Sequence, residues 1–187
     1  MKKKYFIFLI LLSIYSGLSA QIKLSEFSEV SIVTAGPGDE FYEAFGHSAI
    51  RIKDPVLNFD LIYNYGIFDF NQPNFYSNFA KGNMIYSLAR YNFNYFLASY
   101  KNHKRWLKQQ VLNLTQVEKQ AYFNFLENNA LVENKNYEYD PYFNNCATIL
   151  RDLTKSILGN KIVFNSKTPT EVSSLRQLTN HEIHWNS

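Results

Sequence analysis

The stretches AFGHSAIRI (44–52) and FNNCATILRD (143–152) hold the two side chains best suited to nucleophilic chemistry in this sequence, His47 and Cys146. Cys146 is the only cysteine, so it closes no internal disulfide. It is kept either as a small packed residue or as a reactive thiol. Asn144 and Asn145 are favoured N-cap residues, which predicts a helix that opens on Cys146. In a first turn, exposed N–H groups and the helix dipole favour thiolate over thiol, and the same N–H groups can hold an oxyanion. A thiolate nucleophile needs a base or cationic partner within hydrogen-bond reach, and imidazole serves as either near neutral pH. Geometry, not chain order, defines such a pair. The chemistry implied is attack of the Cys146 sulfur on an ester or amide carbonyl, with His47 taking and returning the proton.

An imidazole used in this way needs a third group to orient it. Ser48 to Lys53 and Phe59 to Tyr65 are β-rich runs joined by Asp54-Pro55-Val56-Leu57-Asn58, which predicts a hairpin. A turn centred between Pro55 and Val56 sets Arg51 opposite Asp60 as a charge pair and His47 opposite Asn64, a carbonyl fit to orient the ring. A slip of one residue turns Asn64 to the other face and offers Tyr63 or Tyr65 instead. Around this hairpin, residues 30–35 (VSIVTA) read as a strand followed by a Gly36-Pro37-Gly38 turn. A short helix in QPNFYSNFAKG ends at Gly82, and Met84 to Tyr91 is a further strand. Residues 92–103 predict a helix with Phe93, Phe96, Leu97 and Tyr100 along one face. Trp106 to Leu114 reads as a strand. Thr115 and Glu118 form a capping-box pattern that opens a helix through Asn129. The helix after Asn145 runs to Leu158 and stops at Gly159. The last ten residues show no closing element. Strands before and between helices indicate an α+β domain.

The chain's start reads as an export signal. Lys2, Lys3 and Lys4 precede an apolar run from Tyr5 to Tyr15, and small residues lead to Ala20. The run is short for a membrane span, so residues 1–20 are expected to be cleaved, leaving a single exported domain over 21–187. Removing those three lysines from 19 basic residues leaves 16 against 16 acidic ones. The mature domain is about neutral, which argues against a nucleic-acid partner. The 14 tyrosines and 16 phenylalanines supply a core, and the tyrosines also suit an interface or a lipid-facing groove. Other candidates are weaker. His181 and His184 form an H-x-x-H pair without a third ligand and read as a surface helix end. His103 lies among Lys101, Lys104 and Arg105, a solvated basic cluster that could also attract phospholipid head groups. Arg151 and Asp152 read as ion-pairing residues that lock the cysteine helix. No metal or organic cofactor is implied.

Four ordered blocks, AGPGDEFYEAFGHSAIRIKD, YNYGIFDF, PNFYSNFAKGNMIYSL and YDPYFNNCATILRD, resemble the Lnb N-terminal periplasmic domain of bacterial envelope proteins. The resemblance implies a circularly permuted papain-like (NlpC-like) fold, akin to NlpC-type peptidases and lecithin:retinol acyltransferases. It also implies Cys146 and His47 as the catalytic pair, and lipoprotein N-acylation as the best-described activity of the family. The expected structure is therefore an antiparallel sheet packed on the helix that starts at Cys146. The expected function is cysteine-dependent acyl transfer in the envelope, with Cys146, His47 and Asn64 as the site. Phospholipid and lipoprotein are the expected substrates, at a membrane surface. A thiol peptidase or amidase acting on cell-wall or protein substrates is the alternative enzyme. A non-catalytic module that binds lipid or protein through its aromatics is the alternative from another class.

Overall fold

Alternating apolar residues in the first half of the chain produce strands that bury one or both faces. A computed structural model describes residues 22–69, 71–164 and 174–182. The expected leader (1–20) and His184 of the H-x-x-H pair lie outside them. The strands are β1 (Glu29–Ala35), β2 (His47–Asp54), β3 (Phe59–Ile67), β4 (Met84–Asn92), β5 (Leu107–Val111) and β6 (Asn136–Tyr139). They form one sheet in the order β5-β1-β2-β3-β4-β6, and every neighbouring pair is antiparallel. The helices are α1 (Phe75–Lys81), α2 (Phe93–Asn102), α3 (Gln116–Asn129), α4 (Cys146–Leu158) and α5 (Leu175–Glu182). The domain is α+β.

Both faces of the central strands are covered. Val30, Ile50, Ile52, Leu61, Tyr63 and Tyr65 pack against Tyr122, Phe123 and Leu126 of α3 and Leu150 and Leu153 of α4. The opposite face packs Val33, Ala49 and Ile62 against Phe93 and Phe96 of α2. The expected helical face at 92–103 is corrected at Leu97, which is 43% exposed, because the face that meets the sheet carries Phe93, Phe96 and Tyr100. The strand expected over 106–114 is shorter than its apolar content suggests. Strand β6 has no counterpart among the expected elements, and helix α5 enters the last ten residues, where no closing element is expected.

The hairpin is offset from the expected register. Asp54 pairs with Phe59 and Arg51 with Ile62, so the turn spans Pro55 to Asn58 and centres between Val56 and Leu57. Asn58 takes the left-handed conformation (φ 55°) that closes it. The Asp54 carboxylate fixes this turn, accepting hydrogen bonds from the Val56 and Leu57 N–H groups. It also accepts bonds from the N–H and hydroxyl of Ser25, tying the N-terminal strap to the sheet. The offset is two residues, so it preserves which face each side chain occupies. Arg51 and Asp60 are therefore diagonal neighbours and still form a bidentate pair, at 2.7 and 2.6 Å.

Asp54 is fully buried, and these bonds outweigh the effect of burial to hold its carboxyl below the usual range. Asp54→Ala is expected to destabilise the domain by about 3 kcal/mol, since it orphans three backbone donors at once. A chemical-denaturation series checks this. Because the folded pKa is depressed, Asp54's contribution is present above the ordinary Asp range and is lost as pH falls through the folded value.

Candidate active site

His47 is the first residue of β2, and the backbone before it leaves little freedom. Gly46 has φ 72°, and a Cβ there would lie 2.6 Å from the Ala35 carbonyl oxygen, opposite the pair Ala35–His47. Only glycine brings the chain into β2 so close to β1. The loop ahead of it, 36–46, is anchored from the other side. Arg105 donates to the Gly36 carbonyl at 2.9 Å and to the Glu43 carboxylate at 2.5 Å. The Gly36 N–H donates to the Trp106 carbonyl at 2.9 Å.

Cys146 is the first residue of α4. The Asn145 side chain accepts from the Ala147 and Thr148 N–H groups, at 2.9 and 3.0 Å, and the Thr148 hydroxyl accepts from the Asn145 N–H at 2.8 Å. This reciprocal cap fixes where the helix begins and therefore where the thiol sits. The cysteine is half-buried.

The structure brings Cys146, His47 and Asn64 together. His47 Nε2 meets Asn64 Oδ1 at 2.5 Å, and Asn64 Nδ2 donates to the Tyr91 hydroxyl at 3.0 Å. With the Asn64 carbonyl facing the ring as placed, Oδ1 accepts from Nε2, so the proton lies on Nε2. Nδ1 is then the nitrogen left to face Cys146, whose interaction with His47 shifts the protonation of both groups. Asn64 is not directly opposite His47, as the expected register had it. It reaches the ring diagonally, because the two-residue offset kept it on the same face. Gly66 takes the opposite place, where a Cβ would come 3.6 Å from His47 Cε1.

The electrostatics couple the pair. Burial pushes the Cys146 thiol up, but the hydrogen bond from His47, its charge, and the N–H groups of Ser48 and Ala147 together bring it below its ordinary value. Burial pushes the His47 imidazole down, but Cys146 and Asn64 together raise it above its ordinary value against an opposing charge on Arg105. Both shifts favour thiolate and imidazolium side by side.

The Lnb N-terminal periplasmic domain model matches residues 17–181. The chain belongs to this family. No curated protein and no solved structure matches it. The family is that of a periplasmic domain, in keeping with the expected location, and among the described residues no helix of this Lnb-type domain is long and apolar enough to cross a membrane.

Two features of the Lnb-type site were not legible beforehand. Arg105, expected in a solvated cluster, has a side chain only 5% exposed and is bound to Glu43, because it anchors the loop that delivers His47. No local pattern distinguishes it from its neighbours Lys101 and Lys104. Tyr137 and Tyr139 of β6 stand close enough to Cys146 for its charge to raise both their pKa values, after burial. Tyr139 stacks on Tyr86 at 4.1 Å, which completes an aromatic wall beside α4. Among the described residues Arg151 and Asp152 pair with each other, half exposed, so the pair contributes little. Among the described residues no group of three or more His, Cys, Asp or Glu is placed to hold a metal ion.

Asn64→Ala is expected to lower kcat/KM for any reaction of this thiol about tenfold, the worth of one hydrogen bond to a charged ring. Alkylation of Cys146 at pH 8 should change far less, since the thiolate itself remains. Equal losses in both assays would mean that Asn64 supports the fold and not the ring.

Proposed function

We propose that this domain performs cysteine-dependent acyl transfer in the cell envelope, with lipoprotein N-acylation through a thioester as its reaction. The observation that carries the reading is the half-buried Cys146 thiol at a capped helix start, electrostatically coupled to a histidine that Asn64 orients. In the first step the Cys146 thiolate adds to a phospholipid ester carbonyl, forming the C–S bond. The oxyanion is held by the Cys146 N–H, which the Asn145 cap does not use. Collapse expels the lysophospholipid oxygen, which takes the proton from the His47 imidazolium. In the second step the α-amine of a lipidated N-terminal cysteine attacks the thioester, His47 accepts its proton, and the thiolate leaves.

Two further observations support this reading. A groove of about 260 Å³, walled by Ile67, Phe68, Ile85 and Tyr86 together with Asp69, Gln72, Ser87 and Asn136, offers a part-apolar seat for an acyl chain. The nucleophile opens a helix packed on an antiparallel sheet, and the histidine strand precedes it in the chain, the order that circular permutation of a papain-like domain produces.

Intact-protein mass spectrometry after incubation with phospholipid vesicles tests the proposal. The expected result is a fatty-acyl mass gain that hydroxylamine removes and that Cys146→Ala lacks. No gain, together with Cys146-dependent cleavage of peptidoglycan or peptide, would overturn it in favour of a thiol peptidase or amidase. Neither activity in a folded protein would favour a binding module.

A further inference from the structure

One end of the sheet gathers more than the thiol and the imidazole. Ala35, the last residue of β1, pairs with His47 on one side and with Leu107 on the other. His47 and the start of β5 therefore stand at the same end, two strand spacings or about 10 Å apart. The segment leading into β5 carries Lys101, His103, Lys104 and Trp106, and β5 itself carries Lys108, all exposed. Among the described residues none of the three lysines is in an ion pair, and the Lys108 ammonium lies 4.9 Å over the Trp106 ring. Arg105, between them, is consumed internally by Glu43, which removes one carboxylate from this end. The loop 36–46 continues the surface toward the site with Tyr42 and Phe45, 56% and 58% exposed. Trp106 packs so closely on Gly36 that a Cβ there would enter its ring. The aromatic and basic residues are thus one connected rim beside His47.

We propose that this rim, Trp106 with Lys101, Lys104 and Lys108 and the adjoining Tyr42 and Phe45, docks the domain on an anionic lipid bilayer. Unpaired lysines supply the attraction to anionic head groups, and an indole half exposed beside them has the shape that sits at the head-group level. Charge decides for lipid over nucleic acid: the mature domain is about neutral, so the attraction is local and couples to apolar insertion. Docked on this rim, the sheet end that carries His47 faces the bilayer. The inference deepens the acyl-transfer reading by assigning the surface through which a lipid donor is reached, and its test separates the two.

Binding of the folded domain to vesicles of phosphatidylcholine, with and without phosphatidylglycerol, is measured by co-sedimentation. Wild type should partition onto the anionic vesicles and dissociate in 0.5 M NaCl. Replacing Lys101, Lys104 and Lys108 together by Gln should lower partitioning on the order of 100-fold. Trp106→Ala should lower it at both salt concentrations. In the lysine variant, acylation of Cys146 by a soluble short-chain p-nitrophenyl ester should be unchanged. Equal binding to neutral and anionic vesicles, or unchanged binding by the lysine variant, would overturn the proposal. So would binding to soluble polyglutamate as tight as to vesicles, which would point to an acidic protein partner. Vesicle binding that persists while wild type gives no acyl-enzyme from either donor would leave the docking surface standing and remove the acyl-transfer reading instead.

Discussion

In His47→Gln, acylation of Cys146 at pH 7 is expected to fall about 1,000-fold. Two effects act in the same direction. The substitution removes the group that takes and returns the proton. It also removes the hydrogen bond and charge that hold the Cys146 thiol below its ordinary value, leaving burial to push it up. The thiolate fraction at a given pH then falls. Iodoacetamide alkylation isolates this second effect, because it needs the thiolate and no proton transfer. The pH profile of the variant's alkylation rate should move above that of free cysteine, where wild type lies below it. The acyl-transfer profile of wild type should be bell-shaped. Its acid limb lies below the usual thiol range, where Cys146 takes up its proton. Its basic limb lies above the usual imidazole range, where His47 loses the proton the leaving group needs. These limbs belong to the coupled pair. An alkylation profile unchanged in His47→Gln would show that the imidazole does not act on the sulfur.

Cys146→Ser should lower acyl-enzyme formation by 10,000-fold or more, on the order of what loss of a nucleophile costs in well-studied acyl enzymes. The hydroxyl occupies the same place at the start of α4, so the fold and the Asn145 cap are retained. What is lost is ionisation: His47 can bring a thiol to the thiolate near neutral pH but leaves an alcohol protonated. Any adduct that does form would be an oxygen ester, which mild neutral hydroxylamine leaves in place. Intact mass spectrometry with and without hydroxylamine reads both the rate and the linkage. Wild-type rates in Cys146→Ser would remove the sulfur from the mechanism.

Much of the arrangement around these residues follows from local chemistry. The Asn145 cap and the start of α4 at Cys146 could be read from NNCAT, because side-chain caps act within a few residues and tertiary contacts rarely override them. The Thr115–Glu118 capping box opens α3 for the same reason. The hairpin could be read from its β-rich runs, but its register could not. That depended on whether Asp54 began the turn or entered it, and the Asp54 carboxylate decides this by binding Val56, Leu57 and Ser25 together. Asn64 met His47 despite the register error because strand side chains alternate with period two, and an offset of two keeps the face.

The sequence by itself determined that Cys146 would stand at the positive end of a helix, that His47 would lead a strand, and that the domain would be α+β. Each rests on interactions between residues near in the chain. Only the tertiary structure decided that α4 lies on β2 so that thiol and imidazole meet, and that Arg105 is a buried anchor while Lys101 and Lys104 remain exposed. It also decided that β6 closes the sheet with a tyrosine wall. Those outcomes depend on packing between segments far apart in the chain, where a residue's role is set by what covers it and not by its neighbours.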